Sequence, residues 1–167
     1  MRLLEALARD IDQILLWGLV ATAAMTLLLE SSRAMGLTRM SFPFLFGTWF
    51  TGHRRRATAL GVAVYTVSGW IFSLGYALVF LSLGFSSWWL GALIGAIHGL
   101  FLLIVFLPVL ACLHPRMATE HDGPTAARRL EPPGFLGLNY GRQTPIATMV
   151  GLIAYGAVLG AFLPPSH

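Results

Sequence analysis

The chain has 167 residues, room for one domain, and is 56% apolar but only 11% charged. An ordinary soluble domain is about 25% charged, so a chain this poor in charge could not cover a water-facing surface. The net charge is +4, and every basic residue is an arginine placed near the end of an apolar run. Such placement anchors a protein in a membrane, whereas a nucleic-acid groove needs a basic stripe with interleaved aromatics. No nucleic-acid partner is expected. The single cysteine, Cys112, excludes an intrachain disulfide, a multi-cysteine zinc site and a two-cysteine redox motif. Its apolar surroundings predict a buried, inert thiol.

In chain order, residues 1–12 mix Leu and Ile with Arg2, Glu5, Arg9 and Asp10, which suits a short amphipathic helix at the membrane interface. Arg2 and Ala21-Thr22-Ala23 imitate a signal peptide. Against that, Asp10 and Asp12 precede the apolar run and apolar character continues to Leu29, so the segment is expected to be retained. The first span is predicted over 13–32. From Ala57 to Leu113 there is no Asp, Glu, Arg or Lys, a stretch too long for one span and right for two. Gly84-Phe85-Ser86-Ser87 supplies the break, followed by Trp88 and Trp89, which favour the interfacial belt. Spans at 58–83 and 88–112 follow, and a fourth at 145–163 opens at Pro145. The fold class is all-α: a polytopic membrane protein with four transmembrane helices in a single transmembrane domain.

Orientation comes from arginine. Connections 33–57 and 113–144 hold Arg33, Arg39, Arg54, Arg55, Arg56, Arg116, Arg128, Arg129 and Arg142, against Arg2 and Arg9 on the other side. The positive-inside rule therefore puts both connections in the cytoplasm and both termini on the external, periplasmic side. At a fixed offset, Pro43, Gly47, Phe50, Thr58, Gly61 and Tyr65 align with Pro133, Gly137, Tyr140, Thr148, Gly151 and Tyr155. A duplication would make two parallel helical hairpins; the alternative is chance similarity in biased sequence.

Few positions could carry chemistry. Thr22, Thr26 and Glu30 share one helix face, and a carboxylate near hydrocarbon must be paired or wet. A local pair of Glu30 with Arg33 is favoured over a cation or proton site. His98, mid-span, follows Gly91 and Gly95 at helical spacing on a face that a second helix can approach. An interhelical hydrogen bond to Tyr65, Ser68, Tyr155 or Thr148 is favoured over a proton relay. Single haem or metal ligation by His98 is the remaining reading, and no metal site or cofactor is predicted. In the loops, His114-Pro115-Arg116 stops the third span, and His53 with Glu120-His121-Asp122 makes at most a weak metal cluster. Arg54, Arg55 and Arg56, with Arg39 and Arg116, are expected to contact anionic lipid headgroups or a partner. Residues 41–50 are apolar but too short to span, which suggests an interfacial or re-entrant turn. Residues 132–142 lack the lysine and preceding strand of a phosphate loop.

Gly36-Leu37-Thr38-Arg39-Met40-x-x-Pro43, His114-Pro115-Arg116-Met117 and Glu131-Pro132-Pro133-Gly134-Phe135 resemble a family of small four-helix bacterial inner-membrane proteins with no assigned activity. The resemblance implies membrane location and a four-helix plan, and it carries no functional residue. Taken together, these features suggest a non-enzymatic structural or accessory subunit, in contact with lipid and with a protein partner or further copies of itself. The alternative is a small oligomeric transporter or channel using Glu30 and His98.

Overall fold

The structure, a computed structural model, describes residues 2–119 and 123–163. It is all-α: α1 (Arg2–Arg9), α2 (Ile11–Ala34), α3 (Phe42–Thr48), α4 (Arg54–Leu83), α5 (Trp88–Phe101), α6 (Leu107–Leu113) and α7 (Thr144–Phe162). Among the described residues four helices are long and apolar enough to cross a membrane, namely α2, α4, the continuous Trp88–Leu113 and α7. Large apolar side chains on all four remain exposed, including Leu27, Ile71, Ile97 and Ile146. In water such surface would be a liability; against lipid it is the solvent-facing side. The chain is thus a multi-pass membrane protein with four candidate spans.

Local sequence explains the helix ends. At the end of α2, Gly36 takes φ +74° while its N–H reaches Arg33 O and the Leu37 N–H reaches Ser32 O. That paired closure satisfies orphan carbonyls and needs a left-handed residue. Gly84 repeats it after α4, with φ +65° and bonds from Gly84 to Leu81 O and from Phe85 to Phe80 O. Ser41 caps α3 by accepting from the Phe44 N–H, and Pro43 stands in its first turn. Between α5 and α6 the helix loosens into a π-helical turn over Leu102–Phe106, closed by the Leu107 N–H bonding Leu102 O. Pro108 comes just after; it has no N–H to give and its ring crowds the carbonyl four residues back, so the turn widens.

The chain divides into two compact units. Unit 1 comprises Met1–Leu28, Thr66–His98 and Met149–His167; unit 2 comprises Leu29–Tyr65 and Gly99–Thr148. In unit 1 the contacts are backbone-close. A Cβ on Gly91 would lie 2.0 Å from Gly156 O, and one on Gly160 2.1 Å from Ser87 O. Small residues let α5 and α7 touch at this range. Between α2 and α4, Trp70 Nε1 donates to Leu15 O at 3.0 Å, and Thr22 fills the space that a Cβ on Gly69 would take. Trp17 stacks on Phe162 at 4.2 Å.

Unit 2 holds both connections. Here α3 crosses the start of α4 so closely that a Cβ on Gly47 would sit 1.6 Å from Ala57 O, and one on Gly61 the same distance from Pro43 O. The apolar 41–50 segment is therefore a short packed helix, with Phe42, Pro43, Leu45, Gly47 and Thr48 buried. Its counterpart in the offset alignment folds differently, as a 3-10 turn over Phe135–Tyr140 in which Leu136 has φ 55° and Gly137 φ 75°. Cys112 is exposed, correcting the expectation of a buried thiol: in a membrane span an apolar run faces lipid as readily as core.

Candidate functional site

Several polar residues of unit 2 gather in two joints built from three sequence segments. The first joint ties residues 38–39 to 139–144. Thr38 and Thr144, both buried, share a 2.7 Å hydroxyl–hydroxyl bond, and the Arg39 N–H donates to Tyr140 O at 2.7 Å. The Arg39 guanidinium meets Glu131 with both terminal nitrogens, at 3.2 and 3.3 Å, and also donates to Asn139 O at 2.5 Å. Tyr140 turns its hydroxyl to Glu131 O at 2.6 Å. Burial raises the Tyr140 pKa far above the usual phenol value, Glu131 adding to the shift and Arg39 partly opposing it.

The second joint is centred on His114, which is 1% exposed. Its Nδ1 accepts from the Arg116 backbone N–H at 3.2 Å, while Nε2 faces Leu45 O and Thr48 Oγ1, each at 3.2 Å. An acceptor Nδ1 beside a carbonyl-facing Nε2 assigns the neutral tautomer protonated at Nε2. Trp49 stands edge-on to the ring at 5.1 Å. Burial lowers the His114 pKa below the ordinary value; the Leu45 carbonyl raises it and the Arg116 charge lowers it. Arg116 completes the joint: its Nη1 donates to Thr48 O at 2.7 Å and to Trp49 O at 2.9 Å. A cation on the last carbonyls of α3 satisfies orphan acceptors and complements the helix dipole.

Alongside this joint lies a cleft of about 650 Å³, lined by Phe44, Trp49, Pro115, Arg116, Arg129 and Leu130 among others. Arg129 is held at its Nε by Ala126 O at 3.0 Å.

The other expected site residues are scattered. Glu30 pairs with Arg33 three residues on, and Ser41 reaches it at 3.5 Å. Thr22 and Thr26 spend their hydroxyls on carbonyls one turn back, Gly18 O at 2.7 Å and Thr22 O at 2.6 Å. Tyr155 is buried and donates to Gly69 O at 2.6 Å. Tyr65 lies between Phe42 and Phe46, both at 6.2 Å. Arg54, Arg55 and Arg56 are exposed at the start of α4.

His98 makes a bond between helices, with a partner other than those expected. Its Nδ1 lies 3.4 Å from the hydroxyl of Tyr76, and Phe72 covers the ring at 4.3 Å. The partner on α4 is thus Tyr76, further along the helix than Tyr65 and Ser68, and neither Tyr155 nor Thr148 of α7 takes the bond. The glycine-lined side of α5 is filled by α7 backbone, which leaves no room there for a ring. Thr148 is buried, and its Oγ1 has no hydrogen-bond partner among the described residues. Glu120, His121 and Asp122, the loop cluster weighed for metal, lie outside the described residues. Elsewhere no three His, Cys, Asp or Glu side chains are placed to hold a metal ion.

Sequence reasoning passed over His114 as a helix stop. The signal was present: a histidine directly before Pro-Arg-Met, where the chain leaves a span and carbonyls need donors.

Comparison with protein-family models, with curated proteins and with solved structures finds no match to this chain. The resemblance to a small inner-membrane family is therefore not identified with any family; its four-span plan is what the structure bears out.

Proposed function

We propose that this chain is a non-enzymatic accessory component of the cytoplasmic membrane, with unit 2 as its working face toward the cytoplasm. Its role is to bind other membrane proteins and anionic lipid. The observation that carries this reading is how differently the polar groups are used. Those expected to line a path are spent on a near neighbour: Thr22 and Thr26 on their own helix, Tyr155 on Gly69, Glu30 on Arg33 and His98 on Tyr76; among the described residues of the spans, the buried Thr148 Oγ1 stands apart as unbonded. A transport path needs such groups available to a moving ion.

The connections, by contrast, are folded around buried polar joints and still present surplus positive charge. Nine of the eleven arginines fall in unit 2, with Arg2 and Arg9 in unit 1, which supports the cytoplasmic assignment. Arg54, Arg55 and Arg56 stand in the first turn of α4, where the helix dipole disfavours cations. Helix stability cannot explain them. Attraction to an anionic surface can, at about 1 kcal/mol per charge.

Purification from native membranes in mild detergent, with identification of co-purifying chains, tests the reading. A stoichiometric membrane partner is the expected result. Proton or ion flux in proteoliposomes that His98→Phe abolishes would sink it in favour of transport.

A further inference from the structure

The cleft beside α3 combines features that a mere packing defect would not. Arg116 is immobilised by its Nη1, whose two hydrogens go to Thr48 O and Trp49 O. That leaves the opposite edge of the guanidinium, Nε with Nη2, the geometry that takes an oxyanion through two parallel bonds. Nε is on the Gly52 side of the cleft, 3.8 Å from where a Cβ on Gly52 would lie. Arg129, on the same cleft, has its Nε committed to Ala126 O, which leaves its terminal nitrogens as the donors it can offer. Among the described residues neither arginine has a carboxylate partner, and the two described glutamates of this unit pair elsewhere, Glu131 with Arg39 and Glu30 with Arg33. Phe44, Trp49 and Leu130 supply an apolar wall.

We propose that this cleft binds the phosphate headgroup of an anionic phospholipid, with Arg116 as the fork, Arg129 as the second cation, and Phe44, Trp49 and Leu130 against the glycerol and first acyl carbons. The volume of about 650 Å³ is that of a small-molecule site. A free phosphate would fill a fraction of it and leave the aromatic wall uncovered. Unit 2 also contains the ends of the spans themselves, from Leu29 on α2 and up to Tyr65 on α4, so a cleft in this unit is within reach of the headgroup layer. The proposal rests on unit 2 being a lipid- and partner-binding face, but does not need a protein partner to exist.

The test uses the full chain in a neutral detergent and measures binding of short-chain phosphatidic acid, short-chain phosphatidylcholine and inorganic phosphate by native mass spectrometry. Phosphatidic acid is expected to bind at one site, about tenfold or more tighter than the other two. Gly52→Asp places a carboxylate against the Arg116 fork at an exposed position and is expected to cost about tenfold, as is Arg129→Gln. Gly52→Ala should bind as the parent does. The combined Arg54→Gln, Arg55→Gln, Arg56→Gln variant should also retain the site, which separates it from general surface attraction. Thermal melting reports whether each variant is folded. Equal binding by the parent and a folded Gly52→Asp variant would overturn the site. Equal binding of phosphatidylcholine would overturn charge recognition, and equal binding of inorganic phosphate would overturn the lipid. Loss of binding only in the triple variant would move the ligand to the surface arginines. None of these outcomes depends on whether a protein partner co-purifies.

Discussion

Unit 1 and unit 2 share a chain and solve the same problem by different means. In unit 1 the helices are drawn together at glycine, so that α5 and α7 meet backbone to backbone at Gly91, Gly156 and Gly160, and polar ties between helices, such as Trp70 to Leu15 O and Tyr155 to Gly69 O, run from single side chains to backbone carbonyls. In unit 2 one such glycine crossing, at Gly47 and Gly61, is joined by a network in which His114, Thr38, Thr144, Arg39 and Arg116 each bond across segments far apart in sequence. The difference follows from solvent. Lipid offers no hydrophobic drive between spans, so close packing must hold them. Connections carry irregular backbone whose donors and acceptors need partners wherever they are buried.

The largest effects should come from the glycine crossings. A Cβ at Gly47 would stand 1.6 Å from Ala57 O and one at Gly91 2.0 Å from Gly156 O, and backbone cannot step aside as a flexible side chain can. Gly47→Ala and Gly91→Ala are each expected to destabilise by about 3 kcal/mol, read as lower midpoints in detergent denaturation. If Gly91→Ala were neutral, unit 1 would not be held by close approach.

Next come the two histidines, which set the units directly against each other. His114→Ala strands the Arg116 N–H, leaves the Leu45 carbonyl with the Thr48 hydroxyl as its remaining side-chain donor and opens a cavity, a loss of about 2 kcal/mol. His98→Phe gives up one 3.4 Å bond to Tyr76 from a half-buried ring, a loss of about 1 kcal/mol or less. The reverse order would break the contrast between a polar-joined unit and a packed one. His114 also carries a pH signature. Burial holds its folded pKa below the ordinary value of about 6.5, so on acidification the unfolded chain takes up a proton that the folded chain refuses. Its contribution is complete above about pH 6.5 and is lost as pH falls below that value. Melting midpoints measured from pH 8 to pH 5 should fall more steeply for the parent than for His114→Gln.

The smallest effect expected is at Arg39. The guanidinium pair with Glu131 is solvent-exposed, with side chains 67% and 47% accessible, and such pairs contribute about 1 kcal/mol or less. Arg39→Gln should therefore lower stability slightly and more so at low salt than at high salt. A large, salt-independent loss would mean that the Asn139 carbonyl bond, rather than the ion pair, holds the first joint.

Much of this molecule was legible in its residue order. The all-α class, the four helices long and apolar enough to span and the turn at Gly84 agree with what apolar run length and turn residues imply, because lipid forces every spanning backbone into a helix of bounded length. The Glu30 and Arg33 contact was legible for a similar reason: residues three apart on a helix are neighbours whatever surrounds them. Only the tertiary structure decided that His98 bonds Tyr76, that Cys112 faces outward, that residues 42–48 form a packed helix, and that His114 and Arg116 close on its carboxyl end. Those outcomes depend on which faces meet and on segments about seventy residues apart. Sequence periodicity records which residues share a face, but not what that face will touch.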